Sequence, residues 1–303
     1  MNTLERKIED LSSALAFATI LRDEPMSNHT SFKIGGRAAL FMLPKSADEI
    51  ARAIRLAEEY DVPCHIIGNG SNLLICDEAI SALFIQIGDR MSEIRFSENI
   101  VTAGAGTLLT LISKRSVSMG LMGLEWANGI PGSVGGAVAM NAGAYGGEIK
   151  NVLRYVTVIQ NGELKRIRVL ENDLGYRKSA FAYPNAIVIE ADFALDADDG
   201  TALLKMNDYK EQRCKKQPLA YPSAGSVFKR PKGRFAGELI EKSGLKGASV
   251  GGAEVSSLHA GFILNTGNAT AKDVLSLIDM IIKRVYENFG IILETEIRII
   301  SNN

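Results

Sequence analysis

The chain has 303 residues, 46% hydrophobic and 23% charged, with 34 Lys and Arg against 35 Asp and Glu, for a formal net charge of −1. That balance supplies no electrostatic footprint for nucleic acid or an anionic membrane, and no apolar run approaches the roughly 18 residues of a spanning helix. Cys64, Cys76 and Cys214 form no CxxC pair, and His29, His65 and His259 are scattered, which gives no metal site and suits a reducing cytoplasm.

Acidic residues Glu5, Glu9 and Asp10 argue against a secretory signal, and the length leaves room for two or three domains of about 100–200 residues. Leu4, Ile8, Leu11 and Leu15 recur at helical spacing and predict an opening amphipathic helix. Residues 28–36 read as loop, with His29 and Arg37 as surface polar groups. A strand over 39–43 precedes Ser46-x-x-Glu49, a capping-box pattern, and Ile50, Ala53, Ile54 and Ala57 carry a helix towards Tyr60.

Residues 64–67 and 73–75 read as strands around the turn Gly68-Asn69-Gly70-Ser71-Asn72. Gly68-x-Gly70 suggests a dinucleotide fingerprint, but Leu73 stands where the third glycine belongs and a strand follows instead of a helix. Gly104-x-Gly106 fails in the same way at Leu109, and no P-loop run occurs. The turn reads either as a nest of free N–H groups for phosphate or as a plain tight turn.

Short strands over 83–87, 93–96 and 100–103 lead to a helix begun by Leu108, Leu109, Leu111 and Ile112 and ended by Gly120. Nine of residues 120–147 are glycine, where average usage of about 7% would place about two. Residues 130–133 read as a turn and 134–141 as a short helix of small residues. Two backbone segments cross closely here, or the open backbone beds a large phosphate-bearing cofactor.

Runs over 152–160 and 163–169, joined by Asn161-Gly162, predict a hairpin; 173–179 read as a polar loop and 187–195 as a strand. The acidic cluster over 196–200 marks a boundary. A helix over 205–216 ends in Lys210, Arg213, Lys215 and Lys216, either a solvated face or a docking edge for an anionic substrate. Ser226 lies in no G-x-S-x-G elbow and has no histidine near it in sequence, so it does not read as a hydrolase nucleophile. Residues 236–242 form a short helix, and Thr270-x-x-Asp273 opens the clearest helix, closed by Gly290. Residues 294–299 read as a strand with Glu296 and Arg298 as edge charges.

In chain order, GNGSNLL, GIPGSVGGAVAMNAGAYGGE, the YRKS loop, SAGSVFKRP and LETEIR resemble the UDP-N-acetylenolpyruvoylglucosamine reductase family, flavoenzymes of peptidoglycan precursor synthesis. The match runs from about Asn28 to Arg298. The resemblance implies an α+β protein: a two-lobed FAD-binding domain of the vanillyl-alcohol-oxidase (PCMH) type, followed by a smaller α+β substrate domain. It implies lobe 1 with the N-terminal helix over 1–79, lobe 2 over 80–198 and the substrate domain over 199–303. The short spacing between Tyr176 and Pro222 resembles the compact type II subtype, which lacks an extra substrate-capping loop. Departures are mild: Arg230 stands where some relatives have asparagine, and Trp126 where many have another apolar residue.

The same resemblance implies non-covalent FAD, held by Gly68, Asn69, Gly70, Ser71 and Asn72 and by Gly129, Ile130, Pro131, Gly132, Ser133, Gly135, Gly136, Ala137, Asn141 and Gly143. NADPH would be the co-substrate and UDP-N-acetylglucosamine enolpyruvate the acceptor, reduced to UDP-N-acetylmuramate in the cytoplasm. No metal, nucleic acid, membrane or protein partner is implied. Hydride would come from flavin N5. Ser226 would then protonate the product carbon, with Arg177 and Glu296 as its catalytic companions. Tyr176, Lys216, Lys229, Arg230 and Arg298 would face the substrate. The chemistry suits these residue types. Hydride addition loads charge onto the enolpyruvyl carboxylate, which a permanently charged guanidinium and an acidic O–H aimed at it would stabilise. Glu296 would serve as that acid only in its protonated form, and a well-placed hydroxyl suffices for a strongly basic carbon. Another FAD-dependent alcohol or lactone oxidase of the same fold is the rival reading, and a nucleotide-sugar-binding regulator without catalysis a second one.

Overall fold

Asn161 and Gly162 hold φ of +52° and +76°, the left-handed pair that a two-residue hairpin requires to match strand twist. The hairpin they close, Leu153–Gln160 with Glu163–Arg168, is the edge of a five-stranded antiparallel sheet. The sheet continues through Ile187–Ala194, Ile100–Gly104 and Ile94–Ser97. Val156, Val158 and Ala191 point to its inner face and are buried, and the helix Val134–Met140 packs against the Ile187–Ala194 strand. A four-stranded sheet runs in the order Thr19–Pro25, Arg37–Leu43, Ile80–Gln86, Cys64–Ile67, its last pair parallel.

This computed structural model describes residues 3–302 and divides into two compact units. The first comprises the described residues of Met1–Arg22, Ala39–Asn69 and Ser81–Arg213; the second comprises those of Asp23–Ala38, Gly70–Ile80 and Cys214–Asn303. Each has its own apolar core. Leu11, Leu40, Ile50, Phe193 and Val158 belong to one, and Phe32, Leu74, Val227, Leu277 and Ile281 to the other.

The second unit joins segments far apart in the chain. Leu73–Ile75 pairs in parallel with Arg298–Ile300, in register Leu73 with Arg298, so the last strand of the chain lies beside the one that follows Gly68–Asn72. Its long helix, Ala271–Phe289, carries the full capping box: Thr270 Oγ1 accepts from the Asp273 N–H at 3.1 Å and Asp273 Oδ2 accepts from the Thr270 N–H at 3.0 Å. Asp77 adds a second cap, accepting the N–H groups of Ala271 and Lys272 at 2.8 and 3.1 Å. Gly290, at φ +66°, ends the helix in the left-handed region where only glycine is unstrained.

Several local expectations are adjusted. Residues 173–179 are not plain loop but a minimal hairpin, Leu174–Gly175 against Lys178–Ser179, with Tyr176 and Arg177 at its tip. The helix expected from residue 205 begins at Ala202, because Asp198 Oδ1 accepts the N–H groups of Gly200, Thr201 and Ala202. The acidic cluster is thus a helix cap. Ser46 caps Ala47–Glu59 by accepting the Glu49 N–H, but Glu49 reaches the Lys45 N–H, completing only half of the capping box. The final strand is shorter than expected, Arg298–Ile300, with Thr295 making an isolated bridge to Phe228.

Candidate active site

In the first unit the glycine-rich stretch is a close crossing of backbone. A Cβ on Gly68 would overlap the Ser133 hydroxyl, one on Gly147 would overlap the Trp126 indole, and one on Gly135 would sit 2.9 Å from the Ala105 Cβ. The N–H groups of Val134 and Gly135 already donate to the Thr107 and Ala105 carbonyls, both at 2.8 Å. The helix start itself therefore offers less to an anion than its sequence suggests. Openness lies to either side. Gly136 is exposed, with only the Ser133 Oγ near the place a Cβ would take, at 3.5 Å. Asn69 Nδ2 donates to the Pro131 carbonyl at 2.6 Å and ties its turn to the 130–133 turn.

Asn141 organises the far end of the stretch. It caps Val134–Met140 in the left-handed conformation, φ +46°, and is fully buried. Its amide nitrogen donates to Glu148 Oε2 at 2.9 Å and to the Gly175 carbonyl at 3.0 Å, and its oxygen accepts the Lys150 N–H at 3.0 Å. Both its amide nitrogen and its amide oxygen are thereby engaged by protein. Its backbone carbonyl and that of Gly143 face the Arg177 guanidinium at 3.5 Å. Arg177 sits at φ +53°, unusual for a residue with a Cβ, with its guanidinium 5.1 Å from the Tyr176 ring.

Arg213 does not fit the solvated basic face expected of its helix end. It is buried, 5.6 Å from the Tyr145 ring centroid, and its Cδ lies 3.1 Å from where a Gly129 Cβ would stand. Tyr145 in turn stacks on Tyr209 at 4.8 Å. Nothing in the spacing of four basic residues distinguishes Arg213 from its neighbours, so sequence reasoning passes over it.

In the second unit, the N–H groups of Gly70, Ser71 and Asn72 donate to no other group among the described residues. Gly70 is at φ +63° and so close to the His29 carbonyl that any Cβ would overlap it. Three consecutive unengaged amides on a tight turn make an anion nest. The same turn is tied to the chain's end: the Asn72 carbonyl accepts the Arg298 N–H at 2.9 Å and Asn72 Nδ2 donates to the Glu296 carbonyl at 3.2 Å.

Ser226 and Glu296 lie on adjoining extended segments of this unit. The Glu296 N–H donates to the Val227 carbonyl at 2.7 Å, and the Lys229 N–H donates to the Glu294 carbonyl at 2.9 Å. Lys229 Nζ pairs with Glu294 at 3.1 Å, while Arg230 lies over the Phe235 ring at 5.2 Å. Arg298 and Lys216 are exposed. Arg177 and Tyr176 belong to the first unit.

Ser226 and His259 both border Gly261. A Cβ on Gly261 would stand 3.0 Å from His259 Cε1 and 3.2 Å from Ser226 Oγ, so the missing side chain leaves room for both groups. The Gly261 N–H donates to His259 Nδ1 at 3.1 Å, which puts the imidazole proton on Nε2, and the Gly261 carbonyl accepts the Val227 N–H at 2.8 Å. Burial holds His259 below the ordinary imidazole range, so Nδ1 stays an acceptor.

The amide nest of the second unit suits a phosphate group, and the glycine stretch of the first lets backbone come close to a ligand. Residues 38–168 match the FAD binding domain family, which makes the protein an FAD-containing flavoprotein with an oxidoreductase fold of mixed helix and sheet. Residues 217–300 match the C-terminal domain of UDP-N-acetylenolpyruvoylglucosamine reductase. The chain belongs to the UDP-N-acetylenolpyruvoylglucosamine reductase family. It is 50% identical over 283 residues, 93% of each chain, to the reductase of Alkaliphilus oremlandii. It is 46% identical over 302 residues, 99% of each, to that of Geobacillus thermodenitrificans. The solved structure of the Thermus caldophilus reductase superposes with a TM-score of 0.79 at 35% identity, covering 93% of this chain and 98% of that one.

Proposed function

We propose that the protein reduces the enolpyruvyl ether of UDP-N-acetylglucosamine enolpyruvate to the lactyl ether of UDP-N-acetylmuramate, with NADPH as electron source, in peptidoglycan precursor synthesis. FAD, when bound, would supply two-electron hydride chemistry. The chain's own residues do the rest. The amides of residues 69–72 and the backbone of Gly129, Ile130, Pro131, Gly132, Ser133, Gly136, Ala137 and Gly143 hold the cofactor's phosphates and ring edges. Gly68, Gly135 and Asn141 belong to the same cofactor bed, and the Asn141 side chain also braces the hairpin that carries Arg177. Arg177 and Glu296 grip the substrate carboxylate while charge builds on it, and Ser226 Oγ gives its proton to the adjoining carbon. Tyr176, Lys216, Lys229, Arg230 and Arg298 border the substrate. Residues 1–79 and 80–198 act as the two cofactor lobes, and 199–303 as the substrate domain. Both substrates are phosphorylated and membrane-impermeant, which supports a cytoplasmic place of work.

The observation that carries this reading is the hydrogen-bonded pairing of residues 226–229 with 294–296, which brings a hydroxyl and a carboxyl residue onto adjoining segments within a chain of this family. Ser226→Ala tests it. Stopped-flow bleaching of the flavin by NADPH is expected to stay near the wild-type rate, while reoxidation by the enolpyruvyl UDP-sugar slows by roughly 100-fold or more. Equal slowing of both half-reactions rejects the role of Ser226. One cleft serving both substrates in turn predicts parallel double-reciprocal lines; intersecting lines count against it.

A further inference from the structure

The outer face of the five-stranded sheet carries a cleft that the reductase chemistry does not use. It measures about 530 Å³, within the range of small-ligand sites of about 300–1,000 Å³. None of its lining residues lies in the 68–72 turn or the 120–147 stretch. Strand register explains its floor. Tyr155 stands opposite Arg168 on one side and Asp192 on the other, and so shares a face with both, turned away from buried Val156 and Val158. Arg166 lies over the Tyr155 ring, 4.2 Å from its centroid, and pairs with Asp192 at 2.6 Å. Asp192 takes a second bond from Thr102 Oγ1 at 2.8 Å. The floor is therefore rigid and internally neutralised.

The wall is equally well built. The Val169 N–H donates to the Arg154 carbonyl at 2.9 Å, and the Leu170 N–H donates to Asp173 Oδ2 at 2.7 Å, which holds Leu170 and Leu174 beside the cleft. Four cations and two carboxylates line it, an excess of positive charge. Lys150 is held by Glu148 at 3.2 Å and Arg166 by Asp192. Among the described residues Arg154 donates only to the backbone carbonyls of Asn151 and Leu153, both at 3.2 Å. The Arg168 guanidinium makes no hydrogen bond or ion pair among the described residues. Two guanidinium forks without a carboxylate thus flank an apolar wall on which Leu170 is 63% exposed.

We propose that this cleft is a second binding site, for a small phosphate monoester that carries an apolar or aromatic group. A doubly charged phosphate matches two planar guanidinium forks, which it can accept from in pairs. The apolar end covers Leu170, removing from water a surface that the fold leaves exposed. Glu171, at the rim, opposes the anion and tunes affinity downward.

Phenyl phosphate titrated into the FAD-loaded protein by isothermal calorimetry tests the site. It should bind more tightly than inorganic phosphate or benzyl alcohol, each of which offers half of the recognition, and more tightly than phthalate. Both arginines and Glu171 are exposed, so their substitution leaves the fold intact. The double variant Arg154→Gln with Arg168→Gln should weaken phenyl phosphate by roughly tenfold or more, the worth of one charge-assisted contact. Glu171→Gln should strengthen it by about two- to fivefold. Flavin content and reductase turnover should be unchanged in both. Absence of binding, binding that survives the double variant, or equal affinity for phenyl phosphate and phthalate overturns the proposal.

Discussion

The two units of this protein assemble their candidate site residues by different routes. The first brings backbone: glycines at 68, 135 and 147 let main chain close on the Ser133 hydroxyl, the Ala105 methyl and the Trp126 indole, and the residues involved lie mostly on one continuous stretch. The second brings side chains. Ser226, His259 and Glu296 come from separate segments, joined by isolated bridges of Ser226 with Phe262 and of Phe228 with Thr295. A cradle for a cofactor's phosphates can be written locally. Bringing side chains from distant segments together requires long-range closure, whose entropy must be offset by burial.

The sharpest way to break this contrast is to loosen the seam of the second unit. Leu74 is wholly buried and belongs to the core that includes Val227, Leu277 and Ile281. Leu74→Ala should cost about 2–5 kcal/mol. Amide exchange should then quicken in Ala253–Val255, Ile263–Asn265 and Ala271–Phe289 well before it does in Leu153–Gln160. Equal quickening in both units would erase the distinction drawn between them.

Asn141 tests the first unit in the same spirit. Asn141→Gly keeps the left-handed backbone but removes three hydrogen bonds and leaves the Lys150 N–H without its acceptor. Roughly 1–3 kcal/mol of stability should be lost in denaturant unfolding. Turnover should fall more than flavin affinity, because the hairpin that presents Arg177 loses its strut. A variant that loses flavin and keeps turnover when FAD is resupplied would show Asn141 serving the cofactor alone.

Smaller effects sharpen the picture further. Thr270→Ala removes one of two caps on Ala271–Phe289, and Asp77 keeps holding its first amides, so about 1 kcal/mol or less should be lost. Combining it with Asp77→Ala should cost more than the sum of the two, since either cap covers for the other. The gentlest probe is pH. Burial depresses the His259 proton affinity, so the unfolded chain binds that proton more readily than the native protein. The stability His259 contributes is fully present above about pH 6.5 and is lost as the pH falls below it. Lys246 and Glu241 face the same imidazole with opposite effects. Protonation also removes the acceptor for the Gly261 N–H, so turnover should decline over the same interval. His259→Gln should flatten the melting-temperature profile between about pH 7 and about pH 5.5, where carboxylates have yet to titrate. An unchanged slope would place His259 outside the Ser226 support.

Much of the architecture is legible without coordinates, and the reasons are local. Asn161-Gly162 names its turn, Thr270 and Asp273 name a helix start, and the density of glycine over 120–147 announces a crossing or a cradle, of which the structure shows the crossing directly. Other features are silent. That His259 and Ser226 both border Gly261 cannot be read from position, since they come together only through the Gly261 turn. Arg213 looks like one basic residue among four until burial singles it out. Residues 173–179 carry no strand pattern long enough to reveal the hairpin that lifts Arg177 to its tip.

By itself the sequence determined the short-range elements, the glycine-rich crossing and the family, because turn chemistry, capping and close backbone approach depend on neighbours a few residues apart. Long-range packing sets the chain's last strand beside Leu73–Ile75, braces the hairpin carrying Arg177 with the Asn141 side chain, and opens a cationic cleft on the outer sheet face. Those outcomes follow from which distant surfaces bury one another, a choice made by the sum of many apolar contacts and by no single residue's preference.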